Sequence, residues 1–474
     1  MIYRGWTNPR GHTRRGKAPL AISFTAVLLL LLVAVVSVSQ AQDRQTQLTL
    51  DLRQVRYQLD GFGGNYCFEI ESPVTQYTLS HLRIAWARTE MSLNDWEPAN
   101  DNDSPDATNW EYLASQDQAG SKLRAELLLA RQLQDMGIPY VSSVWWLPEW
   151  LYAEPGKPPN THHRRGHPDK WPELLECIRS YLLYARRQYG VEPDLFSFNE
   201  PNLGVMVFFS AQEHCEAIKR IGAQLERLGL KTRMLLADAT GPRGTHTYAQ
   251  VAAADPEAMQ YVGAVGFHSW GGASPEQYAA WADLAADLNL PLLVTELGVD
   301  PHAWRTRSFE SFDYALRELR MYQELLLYAR PQATMQWEFT SDYSILKEEA
   351  DETGRTKLLP TARFHFVKHF CNLTPPGVEA LSTTSDDPEV LFTAFVGPAD
   401  TGRVYTLHIA NLRDQGDAII SGLPTETIRF RAIRTTQDEG FRELEPVLAH
   451  NGTVQVGLAA HSLLTLTTMP AEGS

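Results

Sequence analysis

The sequence predicts an α/β fold, a (β/α)8 TIM barrel with a C-terminal antiparallel β-sandwich that also takes an N-terminal strand. Three observations carry it. Residues 61 to about 340 repeat one unit, a short apolar strand ending in polar or aromatic residues and then a helical stretch; the repeat requires parallel pairing, and its eight strands close a barrel. From "NLTPPGVEAL" (372–381) the helical periods stop and short alternating strands run to the C-terminus. The alternating stretch "QLTLDLRQVRYQL" (47–59) precedes the barrel without a helix of its own and is expected to join the sandwich.

Taken in order, residues 1–41 hold five cations (Arg4, Arg10, Arg14, Arg15, Lys17), no acid, and an apolar run from Leu20 to about Val38. They read as a signal peptide, with Ser39-Gln40-Ala41 as a small-x-small cleavage pattern. The protein is therefore expected to be secreted or periplasmic, the alternative being an uncleaved membrane anchor. Residues 42–60 supply the N-terminal strand, 61–365 the catalytic barrel and 366–474 the sandwich.

The barrel strands are read at "GFGGNY" (61–66), "LRIAWARTEM" (82–91), "YVSSVWW" (140–146), "LFSFNE" (195–200), "RMLLADAT" (233–240), "AVGFHSW" (264–270), "LLVTELG" (292–298) and "TMQWEF" (334–339). Between them lie helical periods such as "SKLRAELLLARQLQDMG" (121–137), which ends on a glycine stop before Ile138-Pro139.

Composition narrows the function classes. The chain has 42 Lys and Arg against 57 Asp and Glu, net −15, and cleavage at residue 41 makes it more acidic still. Such a surface repels nucleic acid, so no nucleic-acid partner is expected, nor a membrane contact after signal cleavage. The four cysteines (Cys67, Cys177, Cys215, Cys371) have no C-x-x-C spacing and read as buried thiols rather than a zinc site or disulfide framework. No cofactor and no metal are expected, and the chain is expected to be a monomer.

In such barrels the chemistry sits at the C-terminal strand ends, where carboxylates and tryptophans gather here. Glu200 ends the fourth strand and Glu296 the seventh. Two facing carboxyls about 5 Å apart serve a retaining glycosidase, Glu296 as nucleophile and Glu200 as acid and then base. Asn199 is placed to bind a sugar 2-hydroxyl, and Pro201 stops the strand so that the side chain before it is fixed in direction. Glu338 is the alternative partner if the strand count is off by one.

At these residues the chain resembles the clan A glycoside hydrolases, and within them most closely glycoside hydrolase family 30. "GFGG", "ARTEMSLNDW" (87–96), "SSVWWLPEWL" (142–151), "FNEP", "VTEL" and "LAAHSLLTLTT" are similar to that family's motifs in order and position. "NEPNL" also resembles family 39 xylosidases of the same clan. The resemblance implies that Arg88 orients and ionises Glu296, that Asp95 and Trp96 bind outer sugar hydroxyls, and that Trp145 and Trp337 line the −1 subsite. The sixth strand, "FHSWGG", departs from the clan's usual tyrosine near the nucleophile, so His268 or Trp270 stands in for it and the sugar stays open.

Trp146 and Trp150 are assigned to the core. The basic loop "EPGKPPNTHHRRGHPDKW" (154–171) reads as a solvated loop, or as a wall that meets an acidic glycan. The function expected is hydrolysis of a β-linked oligo- or polysaccharide. The alternatives are an exo-acting β-xylosidase or β-glucosidase and a non-catalytic carbohydrate-binding protein on the same fold.

Overall fold

The computed structural model describes residues 45–158, 160–350, 352–397 and 403–471, and the signal peptide expected over residues 1–41 lies outside them. After β1 (Gln45–Leu59), eight parallel strands close a barrel in chain order: β2 (Gly61–Tyr66), β3 (Ala87–Glu90), β4 (Tyr140–Val144), β5 (Leu195–Phe198), β6 (Arg233–Ala239), β7 (Val262–His268), β8 (Leu292–Leu297) and β9 (Ala333–Gln336). Closure comes from β2 pairing with β9, Gly61 opposite Ala333. The second strand starts five residues later than expected, at Ala87. Residues ahead of it approach β2 so closely that a Cβ on Gly63 would lie 1.7 Å from the Trp86 carbonyl oxygen. Only glycine fits there.

Helices between the strands begin and end where side-chain chemistry places them. Ser121 caps the helix Lys122–Asp135 and Gly137 follows it in the left-handed region; Ser210 and Ser274 form capping boxes with Glu213 and Gln277.

The barrel interior has two layers. Val141, Leu195, Leu235, Ala264, Leu293, Ala333 and Met335 fill its N-terminal half as one apolar cluster. Two or four residues further along the same alternating faces stand Ser143, Ser197, His268, Thr295 and Trp337. Each fully buried Leu or Val contributes about 1.5–3 kcal/mol, so the lower layer offsets the cost of a polar upper one.

A hairpin of β10 (Leu346–Ala350) and β11 (Thr356–Pro360) follows the barrel. The large second sheet has nine strands in the order β17 (Arg442–Ala449), β16 (Ile428–Thr435), β19 (Ser462–Thr467), β14 (Val404–Asn411), β13 (Val390–Gly397), β12 (Val378–Ser385), β1, β15 (Gly416–Ser421), β18 (Thr453–Leu458). It curls over a core that includes Leu48, Leu50, Phe392, Ile409, Ile420, Phe430, Val454 and Leu466. The N-terminal strand does pair with it, antiparallel to β12 and parallel to β15. β12 and β15 run in opposite senses, so a strand between them must make one parallel pairing, and the sheet is antiparallel everywhere else.

The boundary expected at 366 falls inside the helix Ala362–Leu373, which touches both parts. Its Phe370 stacks on Tyr322 at 4.6 Å, and its His369 reaches the hydroxyls of Thr465 and Thr435. All four cysteines are buried free thiols. Among the described residues no helix is long and apolar enough to cross a membrane.

Candidate active site

Glu200 lies two residues past β5, and Glu296 lies within β8. One carboxyl oxygen of each, with a ring nitrogen of His268, fall within 4.8 Å of one another. Strict alternation would not deliver these side chains. Glu200 is turned by a left-handed backbone, φ 42°, and Glu296 by register shifts that flank it on both neighbouring strands. Left-handed backbone in a non-glycine residue is strained, and such residues cluster at functional sites.

Arg88 on β3 organises the floor beneath them and is fully buried. Its Nη1 donates to Glu296 Oε1 at 2.8 Å, and its Nη2 donates to Asn199 Oδ1 at 2.7 Å and to Asp238 Oδ2 at 2.9 Å. Asp238, on β6, also accepts from the Ser197 and Thr295 hydroxyls. Burial works against a charge on Asp238, but Arg88, His268 and Thr295 outweigh it and hold the carboxyl well below the usual carboxylate range.

His268 is the centre of the arrangement. Nδ1 faces Glu200 Oε1 at 2.9 Å and Glu296 Oε2 at 3.1 Å, and Nε2 faces Asp238 Oδ1 at 3.1 Å. Burial alone would lower the imidazole, yet the Glu296 charge and the hydrogen bonds to Asp238, Glu200 and Glu296 raise it well above the ordinary histidine value. It is an imidazolium that donates from both nitrogens. Trp270 Nε1 donates to Glu296 Oε2 at 2.9 Å. Both residues expected to stand in for the clan tyrosine therefore contact Glu296.

Above this floor opens a cavity of about 640 Å³ whose walls include Phe68, Trp145, Asn199, Glu200, Trp270, Glu296, Trp304, Trp337 and Tyr343. The aromatic rings pack edge to face, Phe68 lying 4.9 Å from Trp145 and 5.8 Å from Trp337. Trp145 keeps a buried Nε1–H without a partner. Trp146, assigned to the core from sequence, lines the cavity instead, with Lys122 Nζ 5.6 Å from its ring. Trp150 is half-buried and donates to the Glu97 carbonyl.

Arg88 and His268 form the floor, and two expected residues, Trp96 and Asp95, belong to neither floor nor walls. Trp96 is fully buried outside the barrel, donating to Ser180 Oγ at 2.8 Å and packed on Tyr184, because the short helix Leu93–Trp96 turns it toward the helix Trp171–Tyr184. Asp95, on the same turn, lends its charge to the Glu90–Lys122 pair. Other acids have separate partners. Glu338 accepts the Cys67 and Phe68 amides, and burial pushes it well above the ordinary range. Asp342 is in the cavity wall, pushed up to about 6 by burial.

Most cations of the basic loop are paired with acids, two of them from outside the loop. Arg164 forms a two-pronged pair with Glu149 and stacks on Tyr152, Arg165 pairs with Glu213, and Lys157 with Glu154. Its Asn160 and His162 reach the cavity wall.

Among the described residues, two groups bring ligand atoms close enough to hold a cation: Glu200 with His268 and Glu296, and Glu97 with Asp101 and Glu176. In the first, both Glu296 oxygens are already taken, Oε1 by Arg88 and Oε2 by His268 and Trp270. Sequence reasoning missed Asp238, Phe68, Trp304 and Tyr343. Asp238 was within a recognised strand, as the one acid in an otherwise apolar run.

The barrel and sandwich are similar in fold to solved glycoside hydrolases of family 30. A family 30 endoxylanase from Clostridium papyrosolvens C71 superposes with TM-score 0.69 at 16% identity, over 89% of this chain and 99% of that one. The endo-β1,6-glucanase BT3312 follows at 0.60 and 14%, over 90% and 94%. A family 39 enzyme from Xanthomonas axonopodis pv. citri gives 0.56 at 13%, over 90% and 98%. No protein-family model and no curated protein matches the chain.

Proposed function

We propose that the protein is a retaining β-glycoside hydrolase of the family 30 kind, exported from the cell, that cleaves a β-linked oligo- or polysaccharide with two glutamates. The observation that carries this reading is one carboxyl oxygen of Glu200 lying within 4.8 Å of one of Glu296 at the mouth of an aromatic cavity. Retaining enzymes hold their carboxyls about 5–5.5 Å apart, while inverting ones need about 6.5–9.5 Å to admit a water.

Glu296 attacks the anomeric carbon as its bond to the leaving oxygen breaks, and Glu200 gives that oxygen its proton. Water then attacks the glycosyl ester, Glu200 takes the water's proton, and Glu296 leaves as carboxylate. Arg88, Trp270 and His268 hold Glu296 through hydrogen bonds that fix its attacking direction. Arg88 takes the Asn199 carbonyl oxygen, which leaves the amide nitrogen of Asn199 for the sugar 2-hydroxyl. The Trp145 N–H is a donor for another hydroxyl, and the apolar rings meet the C–H faces of the sugar.

An exo-acting glycosidase is the second reading, favoured by the loops. Asn160 and His162 come from the loop after the third barrel strand, and Pro301, His302, Trp304 and Arg305 from the loop after the seventh; both stand in the cavity wall. Walls on both sides suit a chain end. A purely carbohydrate-binding protein has no use for Arg88, Asp238 and His268 buried as charges beneath its site.

The test is hydrolysis of xylan, glucuronoxylan, β-1,6-glucan, β-1,3-glucan, galactan and aryl β-glycosides by wild type, Glu200→Gln and Glu296→Gln. The reading expects one substrate to be cleaved and both variants to lose several orders of magnitude. A wild type that binds glycans and cleaves none supports the binding protein. Monosaccharide as first product favours exo action, and a ladder favours endo action. Amino-terminal sequencing of exported protein is expected to start at Gln42; a start at Met1 on membranes supports the anchor.

A further inference from the structure

The loop after the second barrel strand reads "EPANDNDSPDATN" (97–109), four acids and no base. It folds against the helix Trp171–Tyr184, and there Glu97, Asp101 and Glu176 each bring a carboxyl oxygen within 4.8 Å of the other two. Glu97 and Glu176 are 0% and 1% exposed, while Asp101 is half-buried at the edge. Oε1 of Glu97 accepts the Asp101 amide, and Oε1 of Glu176 accepts the Thr108 hydroxyl and, at 3.5 Å, the Arg179 guanidinium.

The second oxygens are different. Glu97 Oε2 and Glu176 Oε2 are buried and close no regular hydrogen bond; the two side chains interact with each other and, at Glu97, with the Cys177 thiol. A buried carboxylate oxygen without a donor is costly to desolvate, and here two such side chains converge. Burial and the Glu176 charge push Glu97 up to about 8. Three carboxyls face a single arginine that touches only one of them.

We propose that Glu97, Asp101 and Glu176 form a calcium site that ties the loop 97–109 to the helix Trp171–Tyr184. All the donors are hard oxygens, which selects calcium or magnesium over softer metals. Calcium takes oxygens at about 2.3–2.6 Å, so two of its ligands stand at most about 5 Å apart, and the three oxygens here lie within 4.8 Å of one another. Magnesium sits at about 2.0–2.1 Å and holds its waters, which a buried pair of glutamates cannot accommodate. The half-buried Asp101 gives the ion its way in. Trp150, from the loop after the third barrel strand, donates to the Glu97 carbonyl, so the ion would also steady a second loop at the mouth of the barrel.

The experiment is calorimetric titration of the chelator-treated, full-length mature protein with calcium chloride, alongside its melting temperature with and without calcium. One binding event is expected, with a rise in melting temperature and affinity for magnesium at least about tenfold weaker. Asp101→Asn, at the half-buried edge, should weaken calcium binding about tenfold or more, and Glu97→Gln/Glu176→Gln should abolish it. Glu200→Gln/Glu296→Gln should bind calcium as wild type does. No heat and no melting shift at millimolar calcium would overturn the site and leave a proton shared by Glu97 and Glu176. Undiminished binding by Asp101→Asn would overturn it too, even if the double glutamine variant fails to fold. So would loss of binding in Glu200→Gln/Glu296→Gln.

Discussion

His268 Nδ1 lies 2.9 Å from Glu200 Oε1 and 3.1 Å from Glu296 Oε2, so one imidazolium bridges the two carboxyl groups. Its other nitrogen is fixed by Asp238. A tyrosine in this place would supply one neutral donor. Here the donor is charged, and a neutral one, the Trp270 indole, is added beside it. The balance of charge in the floor therefore depends on pH in a way that can be measured.

Because the folded value of His268 is raised, its stabilising contribution is full below its unfolded value of about 6.5 and is lost as pH rises toward the folded value. The gap in urea midpoint between wild type and His268→Gln should be widest at about pH 5 to 6.5 and narrow above that. A gap that widens with rising pH would contradict the imidazolium. Asp238 is depressed and behaves oppositely, its contribution being present above about 3.9 and lost on acidification.

Arg88→Ala should be among the most destabilising single changes in the barrel. It leaves Glu296 and Asp238 buried without their cation, a loss of about 3–5 kcal/mol measured by chemical denaturation. Arg88→Lys should recover only part of this, since one ammonium cannot reproduce a planar fork that reaches Glu296, Asp238 and Asn199 together.

Much of the fold was legible because strand and helix periods differ and because most barrel strands run out into polar or aromatic residues. The site was legible in part. Arg88 follows the alternation of its strand, and Glu200 and Glu296 stand out as acids at strand ends. Asp238 does not follow the alternation. Positive φ at Ala237 and Asp238, with a register shift against β7, turns into the barrel a side chain that a regular strand would point outward. Trp96 fails for the converse reason, since motif spacing cannot tell which side of a four-residue helix meets the cavity.

Trp96→Phe and Trp270→Phe separate these two placements. Trp96→Phe loses the bond to Ser180 and should cost about 1 kcal/mol of stability with kcat unchanged. Trp270→Phe loses the bond to Glu296 and should lower kcat about tenfold with little change in stability. Steady-state kinetics and thermal melts on both variants read the difference.

Gly298→Ala should reproduce the catalytic loss of Trp270→Phe without touching that residue. A Cβ at 298 would lie 2.1 Å from the Trp270 ring, which must then leave Glu296. The added overpacking should cost about 1–3 kcal/mol in the same melts.

The central claim is double displacement through Glu296. It is tested most directly by following the anomeric proton of the first-formed product by NMR on whichever β-glycan or aryl β-glycoside the enzyme cleaves. The β anomer should form first and mutarotate later, and Glu296→Gln should form none. An α anomer appearing first, or an unimpaired Glu296→Gln variant, would contradict it.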